Sequence, residues 1–145
     1  MESRKRVLIA DAGEEFRGML SETFNDENDM EIVGQTGDGA EVLRLVRACT
    51  PDILVMDLLL GNMDGMKVLE SLPLPRPKVL VLSSYVQGNV AEQAAIRGAN
   101  YCMLKPCKPE AVVESARLIL TQAQPVAETT LHPAFGTRRS LESVV

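Results

Sequence analysis

The feature that most constrains the fold of this chain is a fivefold alternation between short apolar runs and segments whose apolar residues recur at helical spacing. One run, DILVMD at 52–57, is apolar on both faces, which is typical of a central strand covered on both sides. Right-handed crossovers place each intervening helix against a face of such a sheet. We therefore expect an α/β fold, a doubly wound five-stranded parallel sheet in the order 2-1-3-4-5. The expected strands are 4–10, 30–36, 52–57, 78–82 and 101–104.

Helical spacing follows each expected strand. The first helix carries Phe16 on its inner face, the second is stopped by Pro51, and the last spans 108–122. The fourth is expected to have an unusually small inner face, made of Ala91, Ala94, Ala95 and Gly98.

The length of 145 residues suits one domain plus a tail, and we assign the domain to residues 1–122. Residues 123–137 contain two prolines and no periodicity, which is typical of a linker. Residues 138–145 begin a helical pattern that stops abruptly. We interpret them as the start of a truncated C-terminal helix that belongs to a further domain.

Composition excludes several functions. The net charge of −5 argues against direct nucleic-acid contact by this segment, because phosphate binding needs a clustered basic face. No apolar run approaches the roughly 20 residues of a membrane span, and no signal peptide precedes the first strand, so we expect a cytoplasmic protein. Cys49, Cys102 and Cys107 lack paired C-x-x-C spacing, which favours reduced thiols over a zinc site.

Polar residues stand where the expected strands end. Asp11 closes the first strand, Asp57 the third, Ser83 and Ser84 the fourth, and Lys105 the fifth. In doubly wound sheets, ligands bind beyond these carboxyl ends. In the expected order the two acids lie on neighbouring strands about 5 Å apart, and an extended lysine can cover the roughly 10 Å from the fifth strand to the third.

Two carboxylates, a hydroxyl and an ammonium at one point suit phosphoryl transfer to an aspartate. The carboxylates hold a divalent cation, the cation and lysine neutralise phosphoryl oxygens, and Asp57 is the nucleophile. Each residue alone has an ordinary interpretation: an Asp or Ser pair after a strand usually caps a turn or helix, and a lysine is usually solvated. Their joint placement is far more specific.

Four motifs carry a resemblance to a known family: VLIAD, PDILVMDLLLGNMDG, VLVLSS and GANYCMLKP. Over residues 5–122 the chain resembles the receiver domains of two-component response regulators, which have a flavodoxin-like fold. The resemblance implies a phosphoacceptor at Asp57, a switch hydroxyl at Ser83 with Ser84 beside it, and a phosphate-contacting Lys105. It further implies Mg²⁺ held by Asp11, Asp57 and the backbone carbonyl of Leu59.

The resemblance also implies partners. A histidine kinase or phosphotransfer protein donates the phosphoryl group, so the domain is a phosphoacceptor and not an enzyme. The change reaches a surface of helix 4, strand 5 and helix 5, a possible homodimer face, and controls a C-terminal DNA-binding domain. Within the family, the first two strands and the end of the chain look most like the regulators of sporulation in endospore-forming bacteria.

Several positions depart from the family pattern. Ala12 stands where a second acid usually contacts the metal, so we expect weakened Mg²⁺ binding. Glu14 either replaces that acid or forms a capping box with Asp11. Gly61 replaces a usual proline, which predicts a more flexible loop. Cys102 occupies the position of an aromatic switch, and Tyr101 should face the other side of its strand.

Two hypotheses follow from these departures. The first is a phosphorylatable receiver that controls transcription, and the second is a pseudo-receiver regulated by dimerisation or partner binding. An aspartate-nucleophile phosphatase is disfavoured, because the acid that it needs two residues after the nucleophile is Leu59 here.

Overall fold

The computed structural model of the protein describes residues 3–84 and 88–122. In these residues five strands alternate with five helices. No helix of this part is long and apolar enough to cross a bilayer. The predicted linker and C-terminal helix, residues 123–145, lie outside the described residues. The strands are β1 (Lys5–Ala10), β2 (Met30–Thr36), β3 (Ile53–Asp57), β4 (Lys78–Ser83) and β5 (Tyr101–Leu104), and the helices are α1 (Glu14–Asn25), α2 (Gly39–Cys49), α3 (Gly65–Ser71), α4 (Val90–Ile96) and α5 (Pro109–Thr121).

The strands form one parallel sheet in the order β2-β1-β3-β4-β5, which confirms the predicted topology. Strand β1 lies between β2 and β3, and Ala10 pairs with Met56. Because parallel strands end at the same edge of a sheet, Asp11 and Asp57 follow directly at neighbouring strand ends.

Side chains of the central strands alternate between two separate cores. In β3, Leu54 and Met56 belong to a core with α2, α3 and α4, which we call the α2–α4 core. Ile53 and Val55 belong to a core with α1 and α5, the α1–α5 core. In β5, Cys102 is in the α2–α4 core and Tyr101 packs against the other, so these neighbours face opposite sides as predicted.

Helix α4 differs from the prediction. Only Ala94 of the four predicted inner residues is buried; Ala91 is partly buried and Ala95 is exposed. The helix ends at Ile96, so Gly98 is not part of it. Gly98 has a φ of +107°, a backbone conformation that side chains disfavour, and this glycine leads the chain out of the helix.

Candidate functional site

The two acids predicted to bind metal are almost completely buried at the ends of β1 and β3. The Asp11 side chain is 2% exposed and that of Asp57 is 8% exposed. Asp57 Oδ1 accepts a hydrogen bond of 2.8 Å from the Leu59 N–H, and Asp11 Oδ1 accepts one of 2.8 Å from the Gly13 N–H. Each carboxylate is therefore held by an amide of the turn that follows it, which fixes the direction of its second oxygen.

Lys105 joins these second oxygens. Its Nζ donates to Asp57 Oδ2 at 2.7 Å and to Asp11 Oδ2 at 2.9 Å. Burial would lower the pKa of Lys105, but the hydrogen bonds to Asp57 and Asp11 outweigh it and the pKa is raised. The structure therefore brings together a charged ammonium and both acids at one point.

Phe16 completes the surroundings of the ammonium. Its ring centroid lies 4.6 Å from Lys105 Nζ, a cation–π distance. The sequence assigned this residue only to the inner face of α1, where it does pack against the α1–α5 core. Phe16 is in the first turn of α1, and α1 begins three residues after Asp11. This short spacing in the sequence indicates that Phe16 also lies near the end of β1.

The two serines at the end of β4 have different surroundings. Ser83 is 2% exposed, and its backbone carbonyl accepts a hydrogen bond of 2.8 Å from the Lys105 N–H. Ser84 is exposed. The strand that carries the lysine is thereby joined to the strand that carries the predicted switch hydroxyl, while the roles of both serines remain predictions.

Residues 7–117 match the response regulator receiver domain family. The chain belongs to this family. Receiver domains are signalling modules and not enzymes, and they interact with histidine kinases or phosphotransfer proteins. In this receiver domain the two buried acids and the lysine lie together at the carboxyl end of the sheet.

Solved structures resemble this receiver domain over most of its length. The response regulator domain of CheB from Thermotoga maritima is 22% identical, with a TM-score of 0.76, over 83% of this chain and 99% of that one. The signal receiver domain of NarL from Mycobacterium tuberculosis is 26% identical, with a TM-score of 0.75, over 82% and 98%. A two-component response regulator of the LuxR family from an Aurantimonas species is 26% identical, with a TM-score of 0.73, over 81% and 86%.

Receiver domains generally bind Mg²⁺ at their acidic site, and the donors of this one fit that ion in kind. Carboxylate oxygens of Asp11 and Asp57 and the carbonyl of Leu59 are hard ligands, and Mg²⁺ completes its shell with water. The number of acids is small. Ala12 is exposed and contributes no ligand, and residues 3–84 and 88–122 contain no group of three or more His, Cys, Asp or Glu that could hold a metal.

Glu14 does not join Asp11 and Asp57. It is the exposed first residue of α1, so the structure does not support the prediction that it replaces the missing acid. The alternative, a capping box with Asp11, is contradicted by the start of the helix. The N-cap of α1 is Gly13, and Asp11 accepts the Gly13 N–H in the turn before the helix.

The predicted flexibility of the loop at Gly61 stays a prediction, and the structure shows how this glycine is hydrogen-bonded. Its N–H donates to the Gly37 carbonyl at 2.9 Å, and its own carbonyl accepts the Gly39 N–H at 2.8 Å. These two bonds join the loop after β3 to the loop after β2. A proline could not make the first of these bonds, because it has no N–H.

Cys102 lies opposite Val81 of β4 and is 6% exposed. Burial raises the pKa of its thiol to about 12. The predicted switch position therefore holds a small, neutral group. Cys49, Cys102 and Cys107 form no disulfide bond.

Proposed function

We propose that Asp57 accepts a phosphoryl group from a histidine kinase or a phosphotransfer protein, and that the phosphorylated receiver controls a DNA-binding effector domain. The observation that carries this proposal is the pairing of the Asp57 carboxylate with Lys105 Nζ at 2.7 Å. A carboxylate held beside a fixed cation is prepared for a reaction that brings negative phosphoryl oxygens to the same place.

In the proposed step, an oxygen of Asp57 attacks the phosphorus of a phosphohistidine. The O–P bond forms as the P–N bond breaks, and the electron pair of the broken bond leaves with the imidazole nitrogen. Lys105 neutralises charge on the phosphoryl oxygens, and Leu59 holds the attacking carboxylate through its N–H. Bound Mg²⁺, held by Asp11, Asp57 and the Leu59 carbonyl, would supply further neutralisation.

The output surface in this proposal is formed by α4, β5 and α5. Large apolar side chains are exposed on all three elements: Ile96 at 75%, Leu104 at 47% and Leu118 at 64%. Exposed apolar groups favour a contact with a second copy or with the effector. Phosphorylation would reach this surface through Ser83 and not through a rotating ring at position 102.

The effector domain and the cellular process are inferred from the comparisons and the sequence, and not from the geometry of the site. The resemblance of the two-component, LuxR-family regulator from Aurantimonas supports an attached effector. A role in sporulation is inferred from the sequence of the first two strands and of residues 138–145, and a cytoplasmic location from the lack of a membrane-span run and of a signal peptide in the sequence.

Intact mass tests the proposal. The chain is incubated with acetyl phosphate and Mg²⁺, and we expect one phosphoryl adduct that is lost in Asp57→Asn. The matched control is Asp26→Asn, which removes an exposed acid at the end of α1 and should leave the adduct in place.

A second candidate, the pseudo-receiver, is favoured by one observation. Lys105 already pairs with both acids, and Ala12 supplies no third carboxylate to draw a metal into the site. Absence of an adduct at saturating Mg²⁺ would exclude phosphoryl acceptance and leave this candidate. For a pseudo-receiver we expect the oligomeric state, measured by sedimentation, to be the same with and without the phosphodonor.

A further inference from the structure

The ammonium of Lys105 is enclosed by two carboxylates and an aromatic ring. Its Nζ donates to Asp57 Oδ2 at 2.7 Å and to Asp11 Oδ2 at 2.9 Å. The ring of Phe16 covers a further side, with its centroid 4.6 Å from Nζ. The lysine side chain is 19% exposed, so little of it is left to solvent. Phe16 therefore takes the place of water beside the ammonium.

The ring of Phe16 is fixed relative to the end of β1. Phe16 is half-buried and packs against the α1–α5 core. The next residue, Arg17, donates from its guanidinium to the Asp11 carbonyl at 2.7 Å, which ties the first turn of α1 to the end of β1. The ring and the Asp11 carboxylate therefore keep the same relative position.

This ring favours one kind of cation. The face of an aromatic ring carries partial negative charge and attracts an ammonium placed over it. Mg²⁺ requires oxygen ligands and keeps several waters, and a phenyl ring supplies no oxygen. The ring of Phe16 thus stabilises Lys105 between the two acids and gives no comparable help to a metal ion.

Lys105 and a divalent metal compete for the same carboxylate oxygens. Oδ1 of Asp57 accepts the Leu59 N–H, and Oδ1 of Asp11 accepts the Gly13 N–H. The Oδ2 atoms, which Lys105 already binds, are the oxygens that remain for a metal. Because two neighbouring cations repel each other, any group that holds the ammonium between the acids weakens the binding of a metal there.

We propose that Phe16 is a positioning residue whose ring holds the Lys105 ammonium between Asp11 and Asp57 and thereby weakens Mg²⁺ binding at this site. The metal half of this inference rests on the Mg²⁺ site of the function proposed above. The other half, the contact between ring and ammonium, does not involve a metal. The two halves can therefore be measured separately.

The metal half is tested by Mg²⁺ titration, followed in amide NMR spectra, of the original chain and three variants. Phe16→Leu keeps an apolar side chain without an aromatic face, and should bind Mg²⁺ about two- to fivefold more tightly. Phe16→Tyr keeps the face and should bind as the original chain does. Phe24→Leu is the matched control, because Phe24 is fully buried in the α1–α5 core and lies further along α1. It should destabilise the chain and leave the Mg²⁺ affinity unchanged.

The contact between ring and ammonium is tested without Mg²⁺. Urea unfolding of Phe16→Leu, Lys105→Met and the double variant forms a double-mutant cycle, in which we expect a coupling of about two- to fivefold in the equilibrium constant of unfolding. In NMR spectra, the ring should shift the ε-methylene protons of Lys105 upfield in the original chain and in Phe16→Tyr. This shift should be lost in Phe16→Leu, and it decides the contact if Lys105→Met does not fold.

Equal Mg²⁺ affinities of Phe16→Leu and the original chain overturn the inference, as does the same gain in Phe16→Tyr or Phe24→Leu. If neither the original chain nor any variant binds Mg²⁺, the proposed metal site is overturned instead. The contact between ring and ammonium is then judged alone. It fails if the two substitutions are additive in the cycle, or if the ε-methylene shift is unchanged in Phe16→Leu.

Discussion

The side chains of Lys105 and Asp57, 48 residues apart in the chain, form an ion pair of 2.7 Å at the carboxyl end of the sheet. The same ammonium lies 2.9 Å from Asp11 Oδ2. One ammonium group thus pairs with two buried carboxylates, so the three side chains together have more acidic than basic groups. That excess is what a divalent cation would neutralise.

Removal of the lysine should leave this charge uncompensated. We expect Lys105→Met to lower the free energy of unfolding by about 2–4 kcal/mol, because two buried carboxylates lose their counter-charge. Urea unfolding measures the loss, and Lys67→Met, at an exposed site on α3, should change stability by no more than about 0.5 kcal/mol. Added Mg²⁺ should restore part of the stability, since it binds only the folded arrangement. Equal losses in the two variants would contradict the role given to the ion pair.

An acid restored at position 12 should strengthen metal binding. Ala12→Asp is expected to tighten Mg²⁺ binding by about tenfold, because a third carboxylate approaches the cation at an exposed position where a side chain has room. Without Mg²⁺ the variant should be less stable, owing to repulsion from Asp11 and Asp57. Amide NMR titration with Mg²⁺ measures both the original chain and the variant, and Ala12→Asn, which adds the same volume without charge, is the control. A similar gain in the asparagine variant would show that charge is not the cause.

The thiol of Cys102 should be inert in the folded chain. Burial raises the pKa of Cys102 from 9.0 to about 12, so the thiolate that reacts with iodoacetamide is scarce at pH 8. Mass spectrometry should find Cys102 unmodified until urea unfolds the chain. Rapid native modification would argue against its burial.

The same shift predicts a pH dependence of stability. Because the folded state favours the neutral thiol, the effect is absent below about pH 9 and grows between pH 9 and 12, where only the unfolded thiol ionises. At pH 10 the cost is about 1.4 kcal/mol. The stability difference between the original chain and Cys102→Ala, from urea unfolding at pH 8 and pH 10, should change by that amount. A constant difference would refute the shift.

Two glycines should respond oppositely to alanine. A Cβ on Gly39 would collide with the backbone carbonyl of Met63, so Gly39→Ala should destabilise by about 1–3 kcal/mol and disturb the neighbouring Gly61 loop. A Cβ on Gly18, in the middle of α1, meets nothing within 4 Å. Gly18→Ala should therefore stabilise by about 0.5–1 kcal/mol. Thermal or urea unfolding of both variants checks the opposite signs.

The sheet and the residues at its edge could be predicted because their signals are local. The run DILVMD indicates a buried strand with Asp57 at its end, and β3 begins one residue later than predicted, at Ile53. Asp52 stays outside the strand, where its carboxylate accepts the Arg6 N–H at 2.8 Å. The spacing of apolar residues carries no information about such a hydrogen bond between distant residues. The residue at which a strand begins is therefore less predictable than the order of the strands.

The details of the site depend on contacts between distant residues. The sequence places Lys105 within reach of Asp57, but which acid oxygens it binds is set by the amides of Leu59 and Gly13, which hold the other oxygens. Gly61 illustrates the same limit. The residue type indicates conformational freedom, but the sequence does not show that Gly61 is hydrogen-bonded to the loop after β2.

The sheet separates two buried cores, and this separation governs which substitutions can compensate for one another. Val81 and Cys102 are paired neighbours in the α2–α4 core. We therefore expect Cys102→Ala to make room for the methyl group that Val81→Ile adds. Shrinking Val113, in the α1–α5 core, gives no such relief. The total side-chain volume is thus constrained separately in each core. The size of residue 102 limits the side chains that fit in the α2–α4 core and not those in the α1–α5 core.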